Sequence, residues 1–147
     1  MEYPAVVTRE GKHLLAEFPD CPGCQTFARP GDDIDAVAAE ALEGWLATGL
    51  ADGEAPPRPS RHPSVPKGAE LRWIPVSPSV AAALLVRWTR GDEHLSQADL
   101  ARRVGVSQQA IAKIERVKGN LTLRTLDRVA RALGRRVELK LLAQQPK

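Results

Sequence analysis

An α+β fold is expected of this 147-residue chain on three observations. Short apolar runs punctuated by turn residues fill the first third. A proline-dense stretch interrupts the middle. Helical periodicity with repeated capping residues takes over after about residue 77. The expected layout is a small β-β-β-α-β domain over residues 1–77, including a proline-rich connection over 53–68. An all-α domain that closes with a strand follows over residues 78–147.

Tyr3 to Thr8 and His13 to Phe18 are apolar runs separated by Glu10-Gly11-Lys12, the pattern of a β-hairpin with a short glycine turn. A third strand is predicted over Gln25 to Ala28. Asp32 or Asp33 then caps a helix running to about Gly49. Its Ile34, Val37, Ala38, Ala41, Leu42, Trp45 and Leu46 make an almost unbroken inward stripe. That helix should lie across the sheet. Between Gly53 and Gly68 stand five prolines, too many for a helix or central strand, so an extended connection is expected. Glu70 to Val76 is the predicted fourth strand.

Ser79 to Arg90 should form the first helix of the second domain. Residues 95–120 then divide into two short helices and a tight turn, a helix-turn-helix. Ser96 caps the first, which turns Leu100, Ala101 and Val104 inward and stops at Gly105. Val106 anchors the turn and Ser107 caps the second. There Ala110, Ile111 and Ile114 face inward while Gln108, Gln109, Ala112, Lys113 and Arg116 face outward. A further helix carries Leu123, Leu126, Val129 and Leu133 on one face and ends at Gly134. Val137, Leu139 and Leu141 alternate with Arg136, Glu138 and Lys140, which predicts a strand over Arg135 to Leu142.

The outward residues of the second short helix are suited to reading DNA. A helix presented N-terminus first to a major groove can lay a glutamine amide on adenine N6 and N7, worth roughly 1–3 kcal/mol of discrimination per good pair. Charge distribution agrees. Residues 1–60 carry eleven acidic side chains against four basic ones, a net −7, and residues 61–147 carry seventeen basic against seven acidic, a net +10. One half is suited to phosphates and the other to a basic partner. Aromatic residues are 4% of the chain, which leaves no stacking platform for single strands and favours duplex DNA.

Residues 95–120 resemble the Cro/phage-repressor, or XRE-like, type of helix-turn-helix. The resemblance implies that Gln97 holds a phosphate, that Gln108, Gln109 and Lys113 face bases, and that Lys118 and Asn120 touch the DNA backbone. Ser107 and Arg116 complete the expected DNA-binding set. One position departs from the family pattern: a glycine is usual after the Glu-Arg pair, where this chain has Val117, a β-branched residue that resists positive φ. Gly119 is expected to take over that turn.

The first half carries a second resemblance. The opening YPAVV, the hairpin, the element Phe18-Pro19-Asp20-Cys21-Pro22-Gly23-Cys24 and the helix containing Glu40-Ala41-Leu42 are together similar to the HicB antitoxin family. The strand ending at Pro75-Val76-Ser77-Pro78 is similar to that family's last strand. The resemblance implies a truncated RNase H-like domain that sequesters a small basic HicA toxin, an mRNA interferase, and a helix-turn-helix that represses the shared operon. Glu17, Phe18 and Asp20 are the expected toxin contacts. The rival reading is a solitary XRE-like regulator whose first domain senses a small ligand.

Catalysis is not expected. Two-metal phosphodiester cleavage needs several converging carboxylates, and the sheet region offers Glu10, Glu17 and Asp20, of which Glu10 belongs to the hairpin turn. Cys21 and Cys24 form a C-x-x-C, yet the pair runs into a strand rather than a helix N-terminus, and His13, His62 and His94 supply no H-x₃₋₅-H partner for zinc. Cys24 is expected to be a small packing residue and Cys21 incidental. No metal or cofactor is implied. Two cysteines, with neither a leader nor a long apolar run, suit a reduced cytoplasmic protein that does not enter membranes. Because one recognition helix covers few base pairs, a homodimer is expected, made by Val137, Leu139 and Leu141 of the last strand, with higher assembly through the first domain left open.

Overall fold

A computed structural model describes residues 1–144. The last three residues of the expected second domain lie outside the described residues. The α+β expectation is borne out: among the described residues four strands precede or bracket one long helix, and four shorter helices follow.

The strands β1 (Glu2–Glu10), β2 (His13–Glu17), β3 (Gln25–Ala28) and β4 (Glu70–Pro75) form one antiparallel sheet in the order β3-β2-β1-β4. Glu10 pairs with His13 across a two-residue turn whose Gly11 takes φ 61, the positive value that lets the turn follow the twist of its strands. Pro4 sits where β1 has β4 beside it but not β2, whose pairing starts at Val6. A residue without an N–H is tolerated at such an edge.

Helix α1 (Ile34–Ala51) starts where the Asp33 carboxylate accepts the Asp35 N–H. Its fully inward residues are Ile34, Ala38, Leu42, Leu46 and Leu50, a strict i, i+4 stripe, and Val37, Ala41 and Trp45 flank it half-buried. The stripe packs on one sheet face with Tyr3, Ala5, Val7, Ala16, Ala28 and Ile74.

Helix α2 (Pro78–Asp92) begins with Ser77 as its cap and Pro78 in the first turn, where a missing N–H costs nothing. It serves two cores. Val80, Ala83, Leu84 and Trp88 close the sheet-side core, whereas Val86 enters a second core with Leu100, Ala101, Val104, Ile111, Ile114, Val129 and Leu133. The proline-rich connection is held to the first core by backbone groups: the Pro56 carbonyl accepts the Trp88 indole N–H at 2.6 Å and the Pro57 carbonyl accepts the Tyr3 hydroxyl at 2.8 Å. Farther along, the Ser60 N–H donates to Asp20 at 2.8 Å. The run is extended but tethered.

Helices α3 (Gln97–Val104), α4 (Gln108–Glu115) and α5 (Leu123–Ala132) complete the fold. The predicted C-terminal strand needs correction. Residues 135–144 pair with no strand, and Leu139, Leu141 and Leu142 are exposed while Val137 is half-buried. A strand exists only through a hydrogen-bonded neighbour, and neither edge of the sheet meets this segment within one chain.

Candidate nucleic-acid interface

The helix-turn-helix is assembled from local signals that agree with one another. Ser96 and Asp99 form a reciprocal capping box: the Ser96 hydroxyl accepts the Asp99 N–H at 3.0 Å and the Asp99 carboxylate accepts the Ser96 N–H at 3.0 Å. Those bonds, chiefly the backbone one, hold the Asp99 carboxyl below its ordinary range. At the other end Gly105 turns left-handed at φ 82, and the Ala101 carbonyl accepts both the Gly105 and Val106 N–H groups. Arg128 of α5 closes the same end by donating to the Val104 carbonyl at 2.9 Å.

Ser107 then caps α4, its hydroxyl accepting the Ala110 N–H at 3.1 Å. Ile111 and Ile114 are buried, which forces Gln108, Gln109, Lys113 and Arg116 to the exposed side, with Ala112 half-buried between them. Two amides and two cations on one face can meet base edges and phosphates together. Arg102 and Arg103 on α3 extend the basic surface, Arg102 being paired with Asp99.

Beneath that surface lies a cluster that the sequence reading missed. Glu115, at the end of α4, is 3% exposed. Arg90 of α2 donates to both of its oxygens, each at 2.8 Å, and also to the Leu95 carbonyl at 2.8 Å. Arg87 stands 4.0 Å away. The signal was present: Glu115 is four residues after Ile111 and so falls on the inward face. Gln97 also reaches this cluster, its amide nitrogen donating to Glu115 at 3.3 Å. A glutamine has two N–H donors, so one points inward and the other remains for an outside acceptor.

The loop after α4 departs from the expected turn. Val117 itself adopts φ 56, and Gly119 follows at φ 79. The Lys118 N–H donates to the Lys113 carbonyl at 3.0 Å, the six-to-one bond that closes a helix around a left-handed residue. The Val117 side chain packs against the sheet-side core, and this contact holds a β-branched residue in a conformation it disfavours. Lys118 and Asn120 are exposed.

In the sheet domain Glu17 is exposed and Asp20 is partly covered by its bond to Ser60. Phe18 needs correction as a partner contact: it is 3% exposed and belongs to the core, because the chain turns under the sheet after β2. Cys21 is not incidental. It is fully buried beside Cys24, within a turn in which the Cys24 N–H donates to the Cys21 carbonyl at 2.9 Å. Burial pushes the Cys21 thiol up to about 12 and raises that of Cys24 as well, so both stay protonated at neutral pH. Among the described residues no three His, Cys, Asp or Glu side chains gather to hold a metal ion, and no helix is long and apolar enough to cross a membrane.

Residues 86–140 match a family model described as Helix-turn-helix. Two curated relatives, both from Photorhabdus laumondii, are similar along almost the whole chain. One, named Antitoxin HicB 1, is 28% identical over 143 residues, covering 96% of this chain and 87% of the relative. The other, named Antitoxin HicB 2, is 28% identical over 139 residues and covers 95% of each. A solved structure titled HicA3 and HicB3 toxin-antitoxin complex contains a chain with 24% identity and a TM-score of 0.47, covering 53% of this chain and all of that one. The resemblance to HicB antitoxins with a helix-turn-helix, first seen in short motifs, therefore extends over nearly the full sequence.

Proposed function

We propose that this chain is a cytoplasmic, non-catalytic antitoxin that neutralises a small basic HicA-like mRNA interferase and represses its own operon by binding operator DNA. The observation that carries the reading is the exposed Gln108, Gln109, Lys113 and Arg116 face of α4, joined in one chain to an acidic sheet domain and found in a sequence similar throughout to HicB antitoxins. The sheet domain is assigned to the toxin and residues 78–147 to DNA. Charge opposition speeds and orients both encounters.

Operator recognition calls for two copies, since half-sites read by paired recognition helices lie about 34–36 Å apart. We assign the two-fold axis to the tail after α5. Leu85, Leu126, Val137 and Leu139 line an open groove of about 360 Å³, and Leu123 and Leu141 are exposed nearby in sequence. A second copy of residues 135–142 would supply the missing strand partner and cover this apolar surface.

Co-expression tests the whole reading. The full-length protein is expected to rescue growth of cells making the HicA-like toxin from the neighbouring gene and to retard that operon's promoter fragment in a gel. A protein that binds the promoter but never rescues would favour the solitary regulator.

A further inference from the structure

Strand alternation gives the sheet a second face, turned away from α1. Because Ala16 and Ala28 point into the core, Leu15, Glu17, Gln25 and Phe27 point the other way. The register sets Leu15 beside both Thr8 and Phe27, and Glu17 beside both Val6 and Gln25. Toward β4 the same face continues through Val6 and Pro4, both buried, to Trp73. There residues 58–61 of the proline-rich connection line the surface beside Trp73. The uncovered part is thus the β2–β3 half, where Phe27 is 52% exposed.

A phenylalanine on the solvent side of an edge strand invites association and contributes nothing to this chain's own core. Its surroundings select the partner. Positions of the four strands on this face supply Glu2, Glu10 and Glu17 and not one lysine or arginine. The strand arginines Arg9 and Arg72 lie on the opposite face, where Arg72 pairs with Asp35 at 3.1 Å. The arginines of the connection, Arg58, which pairs with Asp92, and Arg61, stand at the covered β4 end, and His13 lies beside Glu10 at the hairpin end. In the open β2–β3 half the apolar pair Leu15 and Phe27 therefore has Glu17 as its neighbouring charge, which fits a basic protein.

We propose that the toxin seats on this open sheet face, its apolar contact made by Phe27 and Leu15 and a basic side chain of the toxin meeting Glu17. The assignment rests on the antitoxin reading and gives it a surface. It replaces buried Phe18 with Phe27 as the aromatic anchor and keeps Glu17.

The test uses the full-length protein and purified toxin in a calorimetric titration, with thermal unfolding and operator binding as folding controls. Phe27→Asp and Glu17→Arg are each expected to weaken toxin binding at least tenfold while leaving both controls unchanged. Glu40→Lys, an exposed acid on α1, is expected to stay within twofold of the parent. If the folded Phe27 and Glu17 variants bind as the parent does, the surface assignment is wrong although the antitoxin reading stands. If Phe27→Asp lowers the particle mass in the absence of toxin and leaves toxin affinity intact, the face joins copies of this chain and the proposal is overturned. If the parent itself binds no toxin, the antitoxin reading falls and takes the proposal with it.

Discussion

Arg90 and Glu115 lock α4, the second helix of the helix-turn-helix, to α2 behind it. The guanidinium presents two N–H groups to two carboxylate oxygens at 2.8 Å each, from a side chain that is itself nearly buried. The pair ties the end of α4 to the end of α2, and α2 in turn belongs to the sheet-side core. The orientation of the α4 face proposed to read DNA is therefore set by a contact between helices, behind the exposed surface.

Breaking that pair on one side should be severe. Glu115→Ala leaves Arg90 buried without its partner, and a loss of about 3–5 kcal/mol in urea unfolding is expected. The double change Arg90→Met with Glu115→Leu should recover part of it, because neither member of the pair is then stranded while Arg87, 4.0 Å from Glu115, still loses its nearby carboxylate. A single variant as stable as the parent would show that water reaches the cluster.

The exposed face predicts a different pattern. Gln108→Ala and Gln109→Ala should each lose roughly 1–3 kcal/mol of operator affinity and relax preference at one base position. Lys118→Ala should weaken operator and scrambled duplex alike and reduce the salt slope by about one unit. Titrations on both duplexes at several salt concentrations separate the two outcomes.

Val117 allows a ranking. Val117→Ala keeps a side chain at φ 56 while losing contact with the sheet-side core, whereas Val117→Gly relieves roughly 1–2 kcal/mol of left-handed strain. The glycine variant should be the more stable of the two in urea unfolding. The opposite order would mean that packing at this position outweighs the backbone.

The cysteines make stability depend on alkaline pH. In the folded protein burial raises Cys21 to about 12 and raises Cys24, whereas in the unfolded chain both ionise near their ordinary 9.0. A pKa raised by folding contributes stability that is fully present below the unfolded value and is lost as pH climbs from there toward the folded one. Stability should therefore fall above about pH 9, with buried Tyr3, shifted upward by the same desolvation, adding to the fall above its ordinary 10.0. Cys21→Ala should flatten the first part of that fall in denaturant titrations at stepped pH.

Removing residues 135–147 should abolish the dimer and most operator binding together, measured by light scattering and gel retardation. A truncated protein that stays dimeric would move the axis elsewhere, for instance to the sheet domain.

The local elements were readable because each rests on short-range chemistry. The hairpin at Gly11, the strand Gln25–Ala28, the i, i+4 stripe of α1 and the Ser96, Gly105 and Ser107 boundaries depend on residues within one or two turns of each other. The outward placement of Gln108, Gln109, Lys113 and Arg116 followed from the same periodicity.

What the pattern could not convey are relationships between distant segments. Nothing local distinguishes the face of α2 that closes the sheet core from Val86, which enters the other, so a fragment ending at residue 77 would lose Val80, Ala83, Leu84 and Trp88 from its core. Phe18 is expected as a contact and is buried, while Phe27, on a strand of four residues, is left open because α1 packs on the opposite face and the proline-rich connection reaches only the β4 side of this one. Val117 holds its left-handed turn through a contact with residues far earlier in the chain. The alternation after Gly134 predicts a strand, yet the described residues 135–144 have no hydrogen-bonded neighbour. Periodicity reports which side of an element is apolar, and burial depends on which other element, or which other molecule, arrives to cover it.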